Sequence, residues 1–234
     1  KHRKTQKGNS RSRSADGKIF EWIGDLNEKE GKDVWLTPQN LRNNFISKTK
    51  KTDDWEVKKL GDIGEFFKGK GIAKSDIKES GIPCVLYGEI YTQYDTFIKN
   101  FRLFIDKNTA SKSVKIQKGD ILFTGSGETR EEIGKPVTYL GDQEAYAGGD
   151  IIILRPKNVN SLFLSYYLNS EEMIRERARV AEGHTIVHIY VNELKNIKVS
   201  LPPVEEQKKI AEILFTWDKA IELKEKLIEQ KKEL

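Results

Sequence analysis

Leu201-Pro202-Pro203-Val204-Glu205-Glu206-Gln207-Lys208-Lys209-Ile210-Ala211 is the stretch on which the fold of this 234-residue chain turns. The strand-like run Ile197-Lys198-Val199-Ser200-Leu201 leads into it. Pro202-Pro203 then breaks the chain, because proline has no N–H to give to a sheet ladder and a fixed φ. A long helix begins near Glu205 and meets no stop signal before the last residue. On it Ile210, Ile213, Leu214, Trp217, Ile221, Leu227 and Ile228 recur at three- and four-residue steps, leaving Lys and Glu on the other face. One apolar stripe needs a partner. It can lie on its own domain, but 204–234 makes about 45 Å of helix, longer than a domain of this size covers easily. Pairing with a helix from outside the domain is the expectation.

Upstream, short strand-like runs occur at Ile82 to Tyr87, Val114 to Ile116, Ile121 to Thr124, Val137 to Leu140 and Ile151 to Leu154, separated by glycines and charged turns. Asn160 is placed to cap a helix over Ser161 to Leu168. Ser170 with Glu171 and Glu172 opens a second, with Arg175, Arg177 and Arg179 nearer its C-terminus and Gly183 as the stop. The expected fold is therefore a mixed α/β (α+β) domain over 51–203 followed by the helix 204–234. Thr37-Pro38 reads as an N-cap with proline at the first helical position, opening a short helix through Leu41 and Phe45, and Trp22 and Trp35 call for something to pack against. No role follows for 18–50.

Hydrophobic residues make up 37% of the chain, enough for a core, and no apolar run approaches the roughly 20 residues of a membrane span. With no signal-peptide pattern at the basic N-terminus, a cytoplasmic location is expected. The single cysteine, Cys84, excludes a disulfide framework or cysteine zinc cluster within one chain and reads as a buried strand residue. Residues 1–17 carry six basic side chains against Asp16 alone, a net +5 that equals the formal charge of the whole chain, so residues 18–234 are net neutral. Bulk charge thus says nothing about what the folded part binds. The tail itself, polar and without large apolar groups, is expected to be mobile, and it reads equally as a linker, a vector-derived piece or a DNA-binding arm.

Catalytic patterns fail one by one. Six residues separate Gly127 from Gly134-Lys135, where a P-loop needs four, and Pro136 follows. Leu201-Pro202-Pro203-Val204 has neither the Asn or Asp before the prolines nor the aromatic after them that an amino-methyltransferase would show. Glu-x-Lys triplets such as Glu56-Val57-Lys58 and Glu193-Leu194-Lys195 resemble nuclease motifs, but in a sequence that is 33% charged chance supplies them. His184 and His188 have a metal-ligand spacing for a helix, yet Gly183 and the β-branched Thr185-Ile186-Val187 favour an extended segment. No metal site and no cofactor are expected in this chain.

Three stretches look more like a reading surface. In Phe67-Lys68-Gly69-Lys70-Gly71-Ile72-Ala73-Lys74, the lysines Lys68, Lys70 and Lys74 sit on a glycine-punctuated loop suited to phosphate contacts; an ordinary solvated loop is the competing reading. Tyr87-Gly88-Glu89-Ile90-Tyr91-Thr92-Gln93-Tyr94 interleaves aromatics with a carboxylate and an amide. Gln93 can bond adenine and Glu89 can accept from cytosine, though Tyr87, Tyr91 and Tyr94 equally suit the edge of a core. The third stretch, Thr124 to Lys135, follows the apolar Ile121-Leu122-Phe123, and a strand end holds a loop rigidly enough to present Ser126, Glu128, Thr129 and Arg130.

From Trp55 to the C-terminus these pieces fall in an order that resembles a family. Trp55-Glu56-Val57-Lys58-Lys59-Leu60-Gly61-Asp62-Ile63, Gly81-Ile82-Pro83, Lys118-Gly119-Asp120-Ile121-Leu122 and the opening Leu201-to-Ala211 stretch follow one another as in the specificity subunits of type I restriction-modification systems. The resemblance implies a target recognition domain and a spacer helix, normally present twice and paired as an antiparallel coiled coil, of which this chain holds one unit. It also implies a non-catalytic role: recognition of one half of a bipartite double-stranded DNA target. S-adenosylmethionine, ATP and Mg would be used by separate modification and restriction subunits, and a second recognition unit would come in cis or by homodimerisation. By the same resemblance Gly183 to Ile189 occupies the place of a loop near DNA, which makes His184, Thr185 and His188 candidate contacts, with a structural histidine the alternative for His188. A coiled-coil interaction protein with only nonspecific DNA affinity is the reading from a different class. Residues 1–50 match nothing in the family pattern.

Overall fold

The computed structural model describes residues 54–183 and 185–232, with Arg42, Phe45, Ile46 and Thr49 from the segment before them. The basic tail, Trp22, Trp35, the Thr37-Pro38 cap, Leu41 and His184 lie outside the described residues.

Strand β7, Ile121–Thr124, shows how the layers are set. All four residues are buried, with Ile121 and Phe123 in one apolar cluster and Leu122 in another. Successive side chains of a strand point to opposite faces, so a strand buried throughout lies in a sheet covered on both sides. Its neighbour β11, Ile151–Pro156, repeats the pattern: Ile152 and Leu154 join the first cluster, Ile151 and Ile153 the second. These two are central in a five-stranded sheet of order β2 (Gly64–Lys68), β11, β7, β9 (Pro136–Tyr139) and β4 (Phe97–Ile98).

One face of that sheet meets a four-stranded sheet, β5 (Leu103–Ile105), β3 (Ile82–Val85), β10 (Ala145–Ala147) and β6 (Val114–Ile116), whose Val85, Ile116, Ala145 and Ala147 share the second cluster. The other face carries helices α3 (Ser161–Leu168), α4 (Glu171–Val180) and α6 (Val204–Lys232). Shorter helices are α1 (Tyr87–Thr92), α2 (Lys107–Lys112) and α5 (Val191–Asn196). Two small antiparallel ribbons complete the fold: β1 (Glu56–Lys59) with β13 (Lys198–Leu201), and β8 (Ser126–Gly127) with β12 (Val187–His188).

The mixed α/β domain with a long C-terminal helix is as expected. Val114–Ile116 and Ile121–Thr124 form strands at the expected bounds. Asn160 caps α3 by accepting from the Phe163 N–H at 2.8 Å. Cys84 is wholly buried in β3, and burial pushes its thiol up to about 12. Other expectations change. The strand from Ile82 stops at Val85 instead of running to Tyr87, and Tyr87–Thr92 is a helix: the Glu89 carboxylate accepts from the Leu86 N–H at 3.3 Å, closing the first turn. Phe67 and Lys68 belong to β2, where Ile153 and Ile152 face them, so the loop begins only at Gly69. Ser170 stands at the N-cap of α4, but its buried hydroxyl makes no capping bond.

At the Pro-Pro break, Gln207 is the hinge. Its side chain is buried, donating to the Pro202 carbonyl at 2.7 Å and accepting from the Asn160 N–H at 2.9 Å, so the first turn of α6 is tied to the start of α3. Ile210, Ala211 and Leu214 are then buried on the domain, with Ile213, Trp217 and Ile221 partly so. From Leu223 to Lys232 every residue is exposed, Leu223, Leu227 and Ile228 by more than half. The stripe therefore splits: its first half packs on the domain itself, and only its second half lacks a cover among the described residues.

The segment before the domain acquires a structural part that its sequence did not reveal. Arg42 is buried and ion-paired with Asp95 and, at 2.9 Å, with Asp218 of α6, while the Tyr166 hydroxyl donates to the other Asp218 oxygen at 2.6 Å. Phe45 meets the Trp217 ring edge-on, with centroids 5.2 Å apart. Burial raises the Asp218 carboxyl despite the opposing pull of Arg42.

Candidate nucleic-acid interface

Beyond β7 the chain must turn without a side chain. The Gly125 N–H donates to the Asp150 carbonyl at 2.7 Å, and a Cβ on Gly125 would stand 3.0 Å from that oxygen. Ser126 and Gly127 then pair with His188 and Val187. Across this ribbon the Ser126 hydroxyl lies 3.0 Å from Nδ1 of His188, whose ring stacks on Tyr190 at 6.2 Å. From α1, the Tyr91 hydroxyl donates to the Ser126 carbonyl at 2.9 Å and fills the space a Cβ on Gly127 would need. Burial pushes the Tyr91 phenol up to about 12, so it remains a donor at neutral pH.

Three segments far apart in sequence thus meet: α1, the turn at Ser126 to Arg130, and the extended run from Glu182 to Tyr190. Tyr87, Glu128, Thr129, Thr185, Ile186 and Tyr190 stand exposed there, with Ile186 58% and Tyr190 47% accessible. Lys68 joins them across a cleft of about 220 Å³ that also involves Gly125, Asp150, Ile189, Tyr190 and Asn192. Lys70 and Lys74 are exposed on the following loop. Gly148, packed between Ile72 and Leu86, lays that loop beside the start of α1.

Four candidates make contacts within the fold. Tyr94 is buried, and its hydroxyl donates to the Asn100 carbonyl at 3.1 Å. Glu89 is buried as the cap of α1, and desolvation raises its carboxyl. Gln93 bonds Thr92 and lines the separate cleft of about 390 Å³ between the domain and α6. Arg130 turns inward, donating to the carbonyls of Ala181 at 2.7 Å, Gly183 at 3.1 Å and Ala178 at 3.3 Å. Sequence reasoning passed over Ile186, Tyr190 and Asn192. The signal for Tyr190 was present: it is two residues after His188 in an extended run, and hence on the same face.

A sequence model of the family described as "Type I restriction modification DNA specificity domain" matches residues 52–232. Among curated proteins, the chain is 31% identical over 186 residues to the type I restriction enzyme MjaVIII specificity subunit of Methanocaldococcus jannaschii, covering 76% of this chain and 39% of that protein. It is 25% identical over 176 residues to the EcoKI specificity subunit of Escherichia coli, covering 73% and 38%. The chain spans about two fifths of the length of the curated relatives it matches. Among solved structures, the HsdS subunit from Thermoanaerobacter tengcongensis superposes with a TM-score of 0.56 at 18% identity, over 88% of this chain and 48% of that one. A chain from a study of assembly and conformational transition of the type I R-M system gives 0.61 at 20% identity, over 92% and 52%. The fold built above is similar to that of these solved structures, and the chain belongs to the type I restriction-modification DNA specificity family.

Proposed function

We propose that residues 51–203 recognise a short half-site in double-stranded DNA by sequence, and that the chain catalyses nothing itself but directs modification and restriction subunits to a bipartite target. The observation that carries this reading is the convergence of α1, the Ser126 turn and the Glu182-to-Tyr190 run on one polar, partly aromatic patch, in a domain whose residues 52–232 match the specificity family. Tyr87, Ser126, Glu128, Thr129, Thr185, His188 and Tyr190 are the side chains we place at base edges or sugars, with His184 beside them in sequence. Lys68, Lys70 and Lys74 flank the patch as phosphate contacts, which position a duplex without reading it. Methyl transfer from S-adenosylmethionine and ATP- and Mg-dependent cleavage belong, on this reading, to the partner subunits. The uncovered half of α6 would meet the spacer helix of a second recognition unit, supplied in cis or by a second copy.

Selection from a randomised duplex library by the full chain assembled with its modification subunits tests the reading. One defined half-site should be enriched. Thr129→Ala or Tyr190→Ala should relax individual positions of it by about 1–3 kcal/mol, whereas Lys70→Ala should weaken all duplexes alike and lower the salt slope by about 1. A library that returns no enriched sequence would reject it.

A further inference from the structure

Arg130, Lys135 and Arg177 share an arrangement that the reading of bases does not use. Arg177 is buried and Arg130 and Lys135 partly so, and the side-chain hydrogen bonds of all three run to main-chain carbonyls. Apart from Ile133 and Gly183, those carbonyls lie in the last turn of a helix or just beyond it. Lys135 donates to Tyr94 at 2.7 Å and Tyr91 at 3.5 Å, at the end of α1. Arg177 donates to Leu168, the last residue of α3, and to Ile133 at 3.1 Å. Arg130 holds Ala178 and Ala181 at the end of α4, and then Gly183. Helix C-termini leave carbonyls without intrahelical partners and carry partial negative charge, so a cation there satisfies both. Burial pulls the Arg177 guanidinium down to about 10, which still leaves it charged at neutral pH. The three cations border the turn from Arg130 to Lys135, where Gly134 adopts φ +66° and a Cβ would press on the Arg177 side chain at 3.0 Å.

From this geometry we infer that Arg130 is a positioning residue rather than a base contact: it fastens the Glu182-to-Tyr190 run to the Ser126 turn and so sets the spacing of the reading surface. Both terminal nitrogens donate inward, to the segment that leads into His188 and Tyr190. Gly183, with φ +99°, makes the bend on which the held carbonyl sits. Lys135 and Arg177 hold the other end of the same turn, so the patch has one fixed frame with Arg130 as its outermost tie. The inference rests on the DNA reading for its consequence, but not for its geometry.

The test compares the full chain with its Arg130→Ala and Arg130→Lys variants by two measurements. Amide hydrogen exchange reports the local tie without any DNA. In Arg130→Ala, residues 182–190 should exchange faster while β7 and β11 stay protected. Binding of the variants, assembled with modification subunits, to selected and to random-sequence duplexes reports the consequence. Discrimination should fall by roughly tenfold or more, at several neighbouring base pairs together, with random-sequence affinity little changed. Arg130→Lys keeps the charge but not the fork, and both readouts should recover part way in step. Loss at a single base pair with unchanged exchange would make Arg130 a base contact and overturn the inference, as would recovery of discrimination in Arg130→Lys while exchange stays fast. If wild type discriminates among no duplexes, the DNA reading fails, and the exchange data alone still decide whether Arg130 is the tie.

Discussion

Asp120 is wholly inaccessible, yet it accepts from Nε and a terminal nitrogen of Arg155, both at 2.8 Å, and from the Gln117 N–H at 2.8 Å. Arg155 in turn lies over the Phe67 ring at 4.8 Å. One carboxylate thus closes the turn before β7 and ties β7 to β11 and β2. Asp120→Ala leaves a guanidinium and an N–H unpaired. Because the Arg155 side chain is 29% exposed and can reach water, the expected cost is about 2–4 kcal/mol rather than the full penalty of a buried, abandoned charge. Urea unfolding measures it, and a loss below about 1 kcal/mol would show that the pair is a surface ornament. The sequence marked Lys118-Gly119-Asp120 as a motif, and the turn was legible in it, since Gly119 takes φ +90°. Arg155 was not, because ion-pair partners are chosen by sheet register and leave no trace at fixed spacing. Arg130 shows the same limit: an arginine beside a glycine-rich turn reads as a contact, and only the folded chain places three carbonyls in front of it.

At the scale of elements, local chemistry was easiest to read where side chain and backbone meet within a few residues, as in the Asn160 cap. It was hardest where an element is short and edge-like, as in β4, β5 and β10, whose two or three residues carry no period. Helix α6 shows both cases. Its apolar stripe was evident, but only the first half of the stripe lies on the domain, and periodicity alone cannot tell the covered half from the uncovered one. The halves should therefore respond differently. Leu214→Ala removes a wholly buried side chain from the core shared with α3 and should lower stability by about 2–4 kcal/mol. Leu227→Lys with Ile228→Lys, both in the uncovered half, should leave the melting temperature of the domain unchanged while abolishing the proposed pairing with a second unit, measured by sedimentation of the full chain. Equal destabilisation by both would mean that the second half also lies on the domain.

For the whole molecule, the consequence of interest is that α6 leaves the domain in a fixed direction. Gln207 holds its first turn, Arg42 and Tyr166 hold Asp218, Phe97 packs on Phe215 with centroids 5.3 Å apart, and Lys99 pairs with Glu222 at 2.5 Å. A helix anchored over about four turns transmits its length as distance rather than as slack. On the proposed pairing with a second recognition unit, α6 therefore measures the gap between two half-sites. Inserting seven residues between Leu223 and Lys226, beyond the last anchoring contact, lengthens it by about 10 Å, the rise of roughly three base pairs. Because seven residues fall only about 20° short of two turns, the apolar face stays in line. The half-site sequences should be unchanged, since the proposed reading patch on α1, the Ser126 turn and the Glu182-to-Tyr190 run is untouched. The spacer between them should grow by about three base pairs, with weaker binding, because three base pairs also rotate the second half-site by about a quarter turn around the duplex. Methylation mapping of the assembled enzyme decides the matter: changed half-sites at the old spacing would make α6 part of the reader and end its role as a ruler.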